Sequence, residues 1–347
     1  MDATDSEKSA AGDPVRALRE IGFLLERSRS DTFRVRTYRG AADLVEGLDE
    51  AERTRHQAEH SWNTLPGVGP KTAAVITEAM AGQVPTYLRQ LRDAREPLVE
   101  GGLGMRAAVR GDLHVHSTWS DGGSPLEEMM TTARDLGHEY CAITDHSPRL
   151  KVAHGLSPER LREQIEVTRA LGRRLAPFRV LQGIEVDILE DGGLDQSDAL
   201  LAELDVVVAS VHSKLRSDSE TMTHRMVGAI ANPRTNVLGH CTGRLVEGER
   251  GTRPQSLFDA EVVFEACRTF GVAVEINSRP ERRDPPTDLL RLAMEMGCLF
   301  SIDTDAHAPG QLEFQIYGCA RAEDLGLDPD RVVNTWPVDR LLEWCAA

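Results

Sequence analysis

Residues 110–122 read RGDLHVHSTWSDG, and their pattern decides the fold of most of this chain. A short apolar run, long enough for one strand, breaks off into His114, His116 and Asp121. The same rhythm recurs down the sequence. Strands are predicted at 110–115, 140–144, 180–186, 205–211, 237–239, 272–276 and 299–303. Amphipathic stretches at 158–175, 221–231, 258–270 and 287–296 carry apolar residues at helical spacing. Strands alternating with helices predict a parallel α/β fold, most simply a barrel.

Nearly every predicted strand ends in a residue able to bind metal. The ends carry, in order, His114, His116 and Asp121; Asp145 and His146; Glu185 and Asp187; His212; His240; and Asp303, Asp305 and His307. Loops converge at the C-terminal rim of such a barrel, and sites form there. A lone strand-end histidine is usually a hydrogen-bonded structural residue; six at five strand ends point to ligands. In HxH the two side chains share a face, because strand side chains alternate with period two. The same reasoning is applied to Asp305 and His307. A mixed nitrogen and oxygen set suits Zn²⁺, Mn²⁺ or Fe²⁺ rather than Ca²⁺, and there are too many ligands for one ion. Clustered divalent metals serve displacement at phosphorus. Lys214, Arg244 and Arg279 lie beside these motifs, either as clamps for a phosphate oxygen or as solvated charges. Asp145, Asp187 and Asp303 are read as supporting partners, and His138, His154 and His224 as surface residues.

Working back toward the N-terminus, residues 96–108 (EPLVEGGLGMRAA) read as a linker and residues 14–95 as helices. Residues 1–13 are polar and read as a disordered tail without the apolar core of a signal peptide. Between helical runs sits LPGVGPKTAAVI (65–76), a Gly/Pro turn. Residues 14–95 hold 13 Lys or Arg against 11 Asp or Glu, in a chain of net charge −16. A grip on nucleic acid therefore belongs to this part and not to the acidic remainder. Six scattered cysteines form no CxxC pair, which predicts a reducing cytoplasm and buried thiols. No apolar run approaches the ~20 residues that span a bilayer.

The motifs DLHVHSTWSDG, AITDH, GIEVDIL, VASVHSK, NVLGHCTGR and IDTDAH resemble, in order and spacing, those of the PHP (polymerase and histidinol phosphatase) family. ANPRTNVLGHCTGRL and VEINSRPERRD are similar in particular to the PHP domain that ends bacterial family X DNA polymerases. The resemblance covers residues 109–347 and implies a distorted (β/α)7 barrel with two or three divalent metals. It implies that His114, His116, Glu185 and Asp305 hold one metal. Glu185, His212 and His240 hold a second, and Asp121, His146 and His307 a third. Glu185 and Asp305, with Arg244 and Lys214 read from their position as phosphate clamps, are the expected catalytic groups.

TFRVRTYRGAADLV (32–45) and LPGVGPKTAAVI resemble the helix-hairpin-helix domain that opens the same polymerases. Gly67, Gly69 and Lys71 would bind DNA phosphate through the turn, with Arg34, Arg36 and Arg39 adding charge. A turn used for protein contact is the alternative. Only the short linker stands where a polymerase palm would sit, which excludes polymerase activity. Val75 stands where lyase members carry a lysine, and valine forms no Schiff base. The expected activity is hydrolysis of phosphate esters at DNA 3′ ends or lesions by a metal-bridging hydroxide: a 3′-5′ exonuclease, 3′-phosphatase or abasic-site activity. A small-molecule phosphatase of the histidinol phosphate type and a non-catalytic repair scaffold are the alternatives.

Overall fold

The computed structural model describes residues 10–248 and 251–347. They divide into two compact units, with the boundary between Pro97 and Leu98. The first is helical: α1 (Pro14–Arg27), α2 (Thr32–Gly47), α3 (Glu50–Ala58), α4 (Pro70–Met80) and α5 (Thr86–Asp93). Each start is coded locally. Asp13 and Asp31 cap α1 and α2, and Asp49 with Glu52 forms a capping box on α3. Pro70 occupies the first turn of α4, where its missing N–H costs nothing. Leu18, Ile21, Ala42, Ile76 and Leu88 are fully buried, each large side chain worth about 2 kcal/mol. The disordered-tail expectation is corrected for residues 10–13: Ala10 is buried and the Gly12 N–H donates to the Ala79 carbonyl at 3.0 Å. Residues 1–9 lie outside the described residues.

The second unit is a parallel sheet whose strands follow chain order: β1 (Gly111–Val115), β2 (Tyr140–Ile143), β3 (Arg179–Asp187), β4 (Val206–Ser210), β5 (Val237–Leu238), β6 (Ala273–Asn277) and β7 (Phe300–Asp303). The sheet curls into a nearly closed barrel. At the seam the His116 N–H donates to the Ala306 carbonyl at 2.8 Å. Side chains finish the closure: Asp303 accepts from the Leu113 N–H at 2.8 Å, and Asp112 from the Thr304 hydroxyl at 2.6 Å. Burial and the Asp303 charge push Asp112 up to about 8. At the N-terminal end of the strands, Leu113, Val206 and Val237 pack with Trp336 and Leu341. That end is closed by apolar packing, which leaves the opposite rim for the polar residues.

Part of the expected linker is helical. In α6 (Leu103–Ala108) the Met105 N–H donates to Glu323 at 3.0 Å, so this helix belongs to the barrel unit. His138 is not on the surface: it is 4% exposed, and burial, with Arg106 nearby, lowers its pKa to about 3. His154 and His224 are exposed. Among the described residues no helix is long and apolar enough to cross a membrane.

Candidate metal centre

All nine expected ligands converge at the C-terminal rim. Glu185, at the inner end of β3 and 1% exposed, is the hub. Its Oε1 lies 2.9 Å from His240 Nε2 and 3.1 Å from His212 Nε2. Its Oε2 lies 2.8 Å from His146 Nδ1, 3.3 Å from His114 Nε2 and 3.5 Å from His116 Nε2. Asp305 Oδ1 is 3.5 Å from both His116 Nε2 and His307 Nδ1. Asp121 Oδ1 is 3.5 Å from His146 Nε2 and 3.4 Å from His307 Nε2.

Four groups in this cluster have ligand atoms all within 4.8 Å of one another: His116, Asp121, His146 and His307; His114, Glu185 and His240; His114, His116 and Asp305; and His146, Glu185 and His212. The chemistry fits divalent cations. His114 Nε2, both ring nitrogens of His116, His146 Nδ1, His212 Nε2 and Glu185 Oε2 are buried without a hydrogen-bond partner. Lone pairs left bare at such depth are costly unless something else satisfies them.

Charge divides the imidazoles. For His114 and His212, burial alone would lower the pKa. At His114 the Glu185 and Glu275 charges outweigh it and hold the ring well above the usual value. At His212 Glu185 and Asp187 do the same, raising it to about 9. His116 and His240 stay neutral: burial lowers both, His240 to about 4 with Arg282 adding to it. For Asp305, burial would raise the pKa, but Arg282 and Arg279 hold it well below the usual carboxylate range.

The alternation argument for Asp305 and His307 is corrected. Strand β7 ends at Asp303, and Asp305 has left-handed backbone (φ 52°). A strained turn, not period-two pleating, brings both residues to the centre. Supporting contacts are well defined. Asp187 pairs with His212 Nδ1 at 2.5 Å. Asp145 accepts from the Ser117 N–H at 2.8 Å and from Gln164 at 2.6 Å, which orders the loop leading to Asp121.

Arg244 is not aimed at the ligands. Its Nε donates to the Arg282 carbonyl at 3.0 Å and its Nη2 to the Arg283 carbonyl, so it braces that loop. Lys214 is exposed on left-handed backbone two residues beyond His212. Two residues missed by the motif reading enter instead. Arg282, 7% exposed, donates from Nε to Asp305 Oδ2 at 3.0 Å. Glu275, wholly buried in β6, faces His114 Nδ1 at 2.6 Å. A carboxylate inside an otherwise apolar strand was the available signal.

In the helical unit Gly67 takes φ 77°, where only glycine is unstrained, and Gly69 caps α4. Lys71 and Arg36 are exposed. Arg34 donates to the Tyr87 hydroxyl and lies 5.4 Å from its ring. Arg39 is not free for DNA: it makes a two-pronged pair with Glu26, at 2.5 and 2.8 Å, inside the unit.

The barrel and its cluster of imidazoles and carboxylates define a phosphoester hydrolase. Residues 112–279 match the PHP domain family and residues 11–84 the helix-hairpin-helix domain family. The chain is a PHP-domain protein with a helix-hairpin-helix domain ahead of the barrel. It is similar to the DNA polymerase/3′-5′ exonuclease PolX of Bacillus subtilis, 39% identical over 226 residues. That match takes in 65% of this chain and only 39% of PolX. It is also similar to a probable phosphatase of Thermoanaerobacter sp., 27% identical over 235 residues, covering 65% of this chain and 89% of the relative. Among solved structures, a histidinol phosphate phosphatase from Lactococcus lactis, complexed with zinc, L-histidinol and phosphate, matches at TM-score 0.46 and 18% identity. That match covers 63% of this chain and 94% of the other.

Proposed function

We propose that the chain hydrolyses phosphate esters of DNA, at 3′ ends or lesions, with two or three divalent metals held by the nine ligands. The observation that carries this is the convergence of five imidazoles on the Glu185 carboxylate, within one chain that also holds a helix-hairpin-helix domain. His307 joins the cluster through Asp121 and Asp305. Zn²⁺, Mn²⁺ or Fe²⁺ there would activate a water and neutralise phosphate oxygens.

The chain's own residues set the direction of approach. His114, His116, Glu185 and His240 are at most 2% exposed. The side chains of Asp121, His307 and His212 are 35%, 21% and 13% exposed. Substrate therefore enters over Asp121 and His307. Arg279 stands beside that mouth, its Nη1 donating to the Asp305 carbonyl at 3.3 Å, and is the candidate phosphate clamp. In the helical unit, the Gly67 turn and Lys71 would hold backbone phosphate without reading sequence.

A second reading, a small-molecule phosphatase, is favoured by the 89% coverage of the probable phosphatase relative. Metal-free protein refilled with Mn²⁺ and given 3′-labelled DNA, with a simple phosphate monoester as control, separates the two. Cleavage of DNA ends that weakens when Lys71 is changed supports the first reading. Turnover of the monoester with DNA untouched under every metal removes it.

A further inference from the structure

Strand β6 contributes no residue to any of the four ligand groups, although its neighbours β5 and β7 lead into His240 and into Asp305 and His307. It contributes Glu275 and Asn277, two apart and so on one face, 0% and 1% exposed. A buried carboxylate is costly unless its oxygens are satisfied, and the partners of Glu275 are informative. One oxygen accepts from His114 Nδ1 at 2.6 Å, and the other from the His240 backbone N–H at 2.5 Å. The Asn277 amide donates at 3.2 Å to Glu275 and at 3.2 Å to Asp305. Ligand residues in β1 and just after β5 and β7 are thus tied through β6.

The bond to His240 has a structural reason. Strand β5 has two residues, and its register with β6 ends at Leu238 opposite Val274. Beyond that point the pairing with β6 stops, while on the β4 side the Gly239 N–H still donates to the Ala209 carbonyl at 2.9 Å. The Glu275 side chain supplies the next bond on the β6 side, to the His240 N–H. The bond to His114 has a chemical reason. A proton held on Nδ1 by a carboxylate leaves the Nε2 lone pair free, and Nε2 is the bare atom 3.3 Å from Glu185.

We propose that Glu275, supported by Asn277, is a positioning residue of the metal centre: it fixes the His114 ring by its Nδ1–H and the His240 backbone by its N–H. The proposal rests on the metal-centre reading and is independent of which phosphate ester is cleaved. Glu275→Gln keeps the shape but puts an amide N–H₂ against one of the two donors. With the full chain stripped and refilled with Zn²⁺ or Mn²⁺ against a competing chelator, affinity should fall about 10–100-fold, the range for partners that orient ligands. The circular dichroism of the metal-free protein should stay unchanged. A second measurement needs no variant. In ¹⁵N-histidine-labelled, Zn²⁺-loaded protein, long-range ¹H–¹⁵N spectra should show His114 protonated at Nδ1 and metal-shifted at Nε2, a signature lost in Glu275→Gln. Affinity within about two-fold of the parent, or a metal-shifted His114 Nδ1 in the parent, overturns the proposal. Neither assay contains a substrate, so failure here leaves the phosphoesterase reading standing, and failure on DNA leaves this one standing.

Discussion

Filling the metal centre should expel protons, and the structure says from which rings. His212 is raised to about 9 and His114 well above the usual value. Near pH 7.5 both are protonated in the metal-free protein, while His116 and His240 are already neutral. Only a neutral imidazole binds metal, so about two protons must leave as the centre fills. The sign follows. Metal competes with protons, so apparent affinity rises with pH, by up to about a hundred-fold per unit while both rings stay charged, and less steeply once His212 titrates near 9. The metal-free protein runs the other way. A folded pKa raised above the unfolded value of 6.5 contributes stability below pH 6.5 and loses it as pH climbs through about 9. For His212 that loss is of order 3 kcal/mol, at 1.36 kcal/mol per unit. Titration calorimetry with Zn²⁺ in buffers of different ionisation enthalpy reads the proton count as a slope. Glu185→Gln should cut that count, because the carboxylate that charges both rings is gone. A slope below about 0.5, or an affinity flat between pH 6.5 and 8.5, refutes the idea that Glu185 holds these rings protonated.

Changing His114 and His116 together to alanine should lower metal-dependent hydrolysis at least about 100-fold with the barrel's circular dichroism retained, since removing even an outer partner of a ligand costs 10–100-fold; activity within ten-fold of the parent would sink the metal mechanism. Breaking the Glu26–Arg39 pair by Arg39→Ala should cost the helical unit about 1.5–3 kcal/mol in urea unfolding, because the buried Glu26 loses two charge-assisted hydrogen bonds; a loss under about 1 kcal/mol would show that the pair does not hold the unit together. Lys71→Ala should weaken DNA binding for every sequence alike and reduce the slope of log K against log salt by about 1, measured by fluorescence anisotropy. An unchanged slope would take Lys71 off the phosphate backbone.

The ligands were legible because barrel strands announce their ends. An apolar run that stops at His212 or His240 marks both the strand and the rim in one reading. The predicted strands therefore fall within a residue or so of β1 to β7. What stayed hidden depends on where side chains turn after the strand stops. Arg244 and Arg282 both sit among motif residues, and nothing in spacing says that one braces a loop while the other pairs with Asp305. Arg39 failed for a similar reason. Its partner Glu26 lies 13 residues away on another helix, so a charge read as free is spent internally. Glu275 went unremarked because one carboxylate in VAVEI looks like an ordinary exposed strand position until the barrel closes around it.

The two buried carboxylates at the rim are charge-balanced by groups of different kinds. Glu185 and Asp305 are buried, and burial alone would drive both toward the neutral acid. Glu185 stays ionised because His212, His114 and His146 face it, with protons on His212 and His114. Asp305 stays ionised because Arg282 and Arg279 face it. The two carboxylates are thus balanced by different means. The charge opposite Glu185 is a proton that leaves when metal arrives; the charge opposite Asp305 is a guanidinium that does not. Metal should accordingly bind first against Glu185, where it replaces positive charge one for one. The Asp305 side, still faced by Arg282, should fill last and most weakly. A two-step calorimetric isotherm, whose weaker step alone tightens in Arg282→Gln, is the outcome this charge balance requires; a single step unaffected by that change contradicts it.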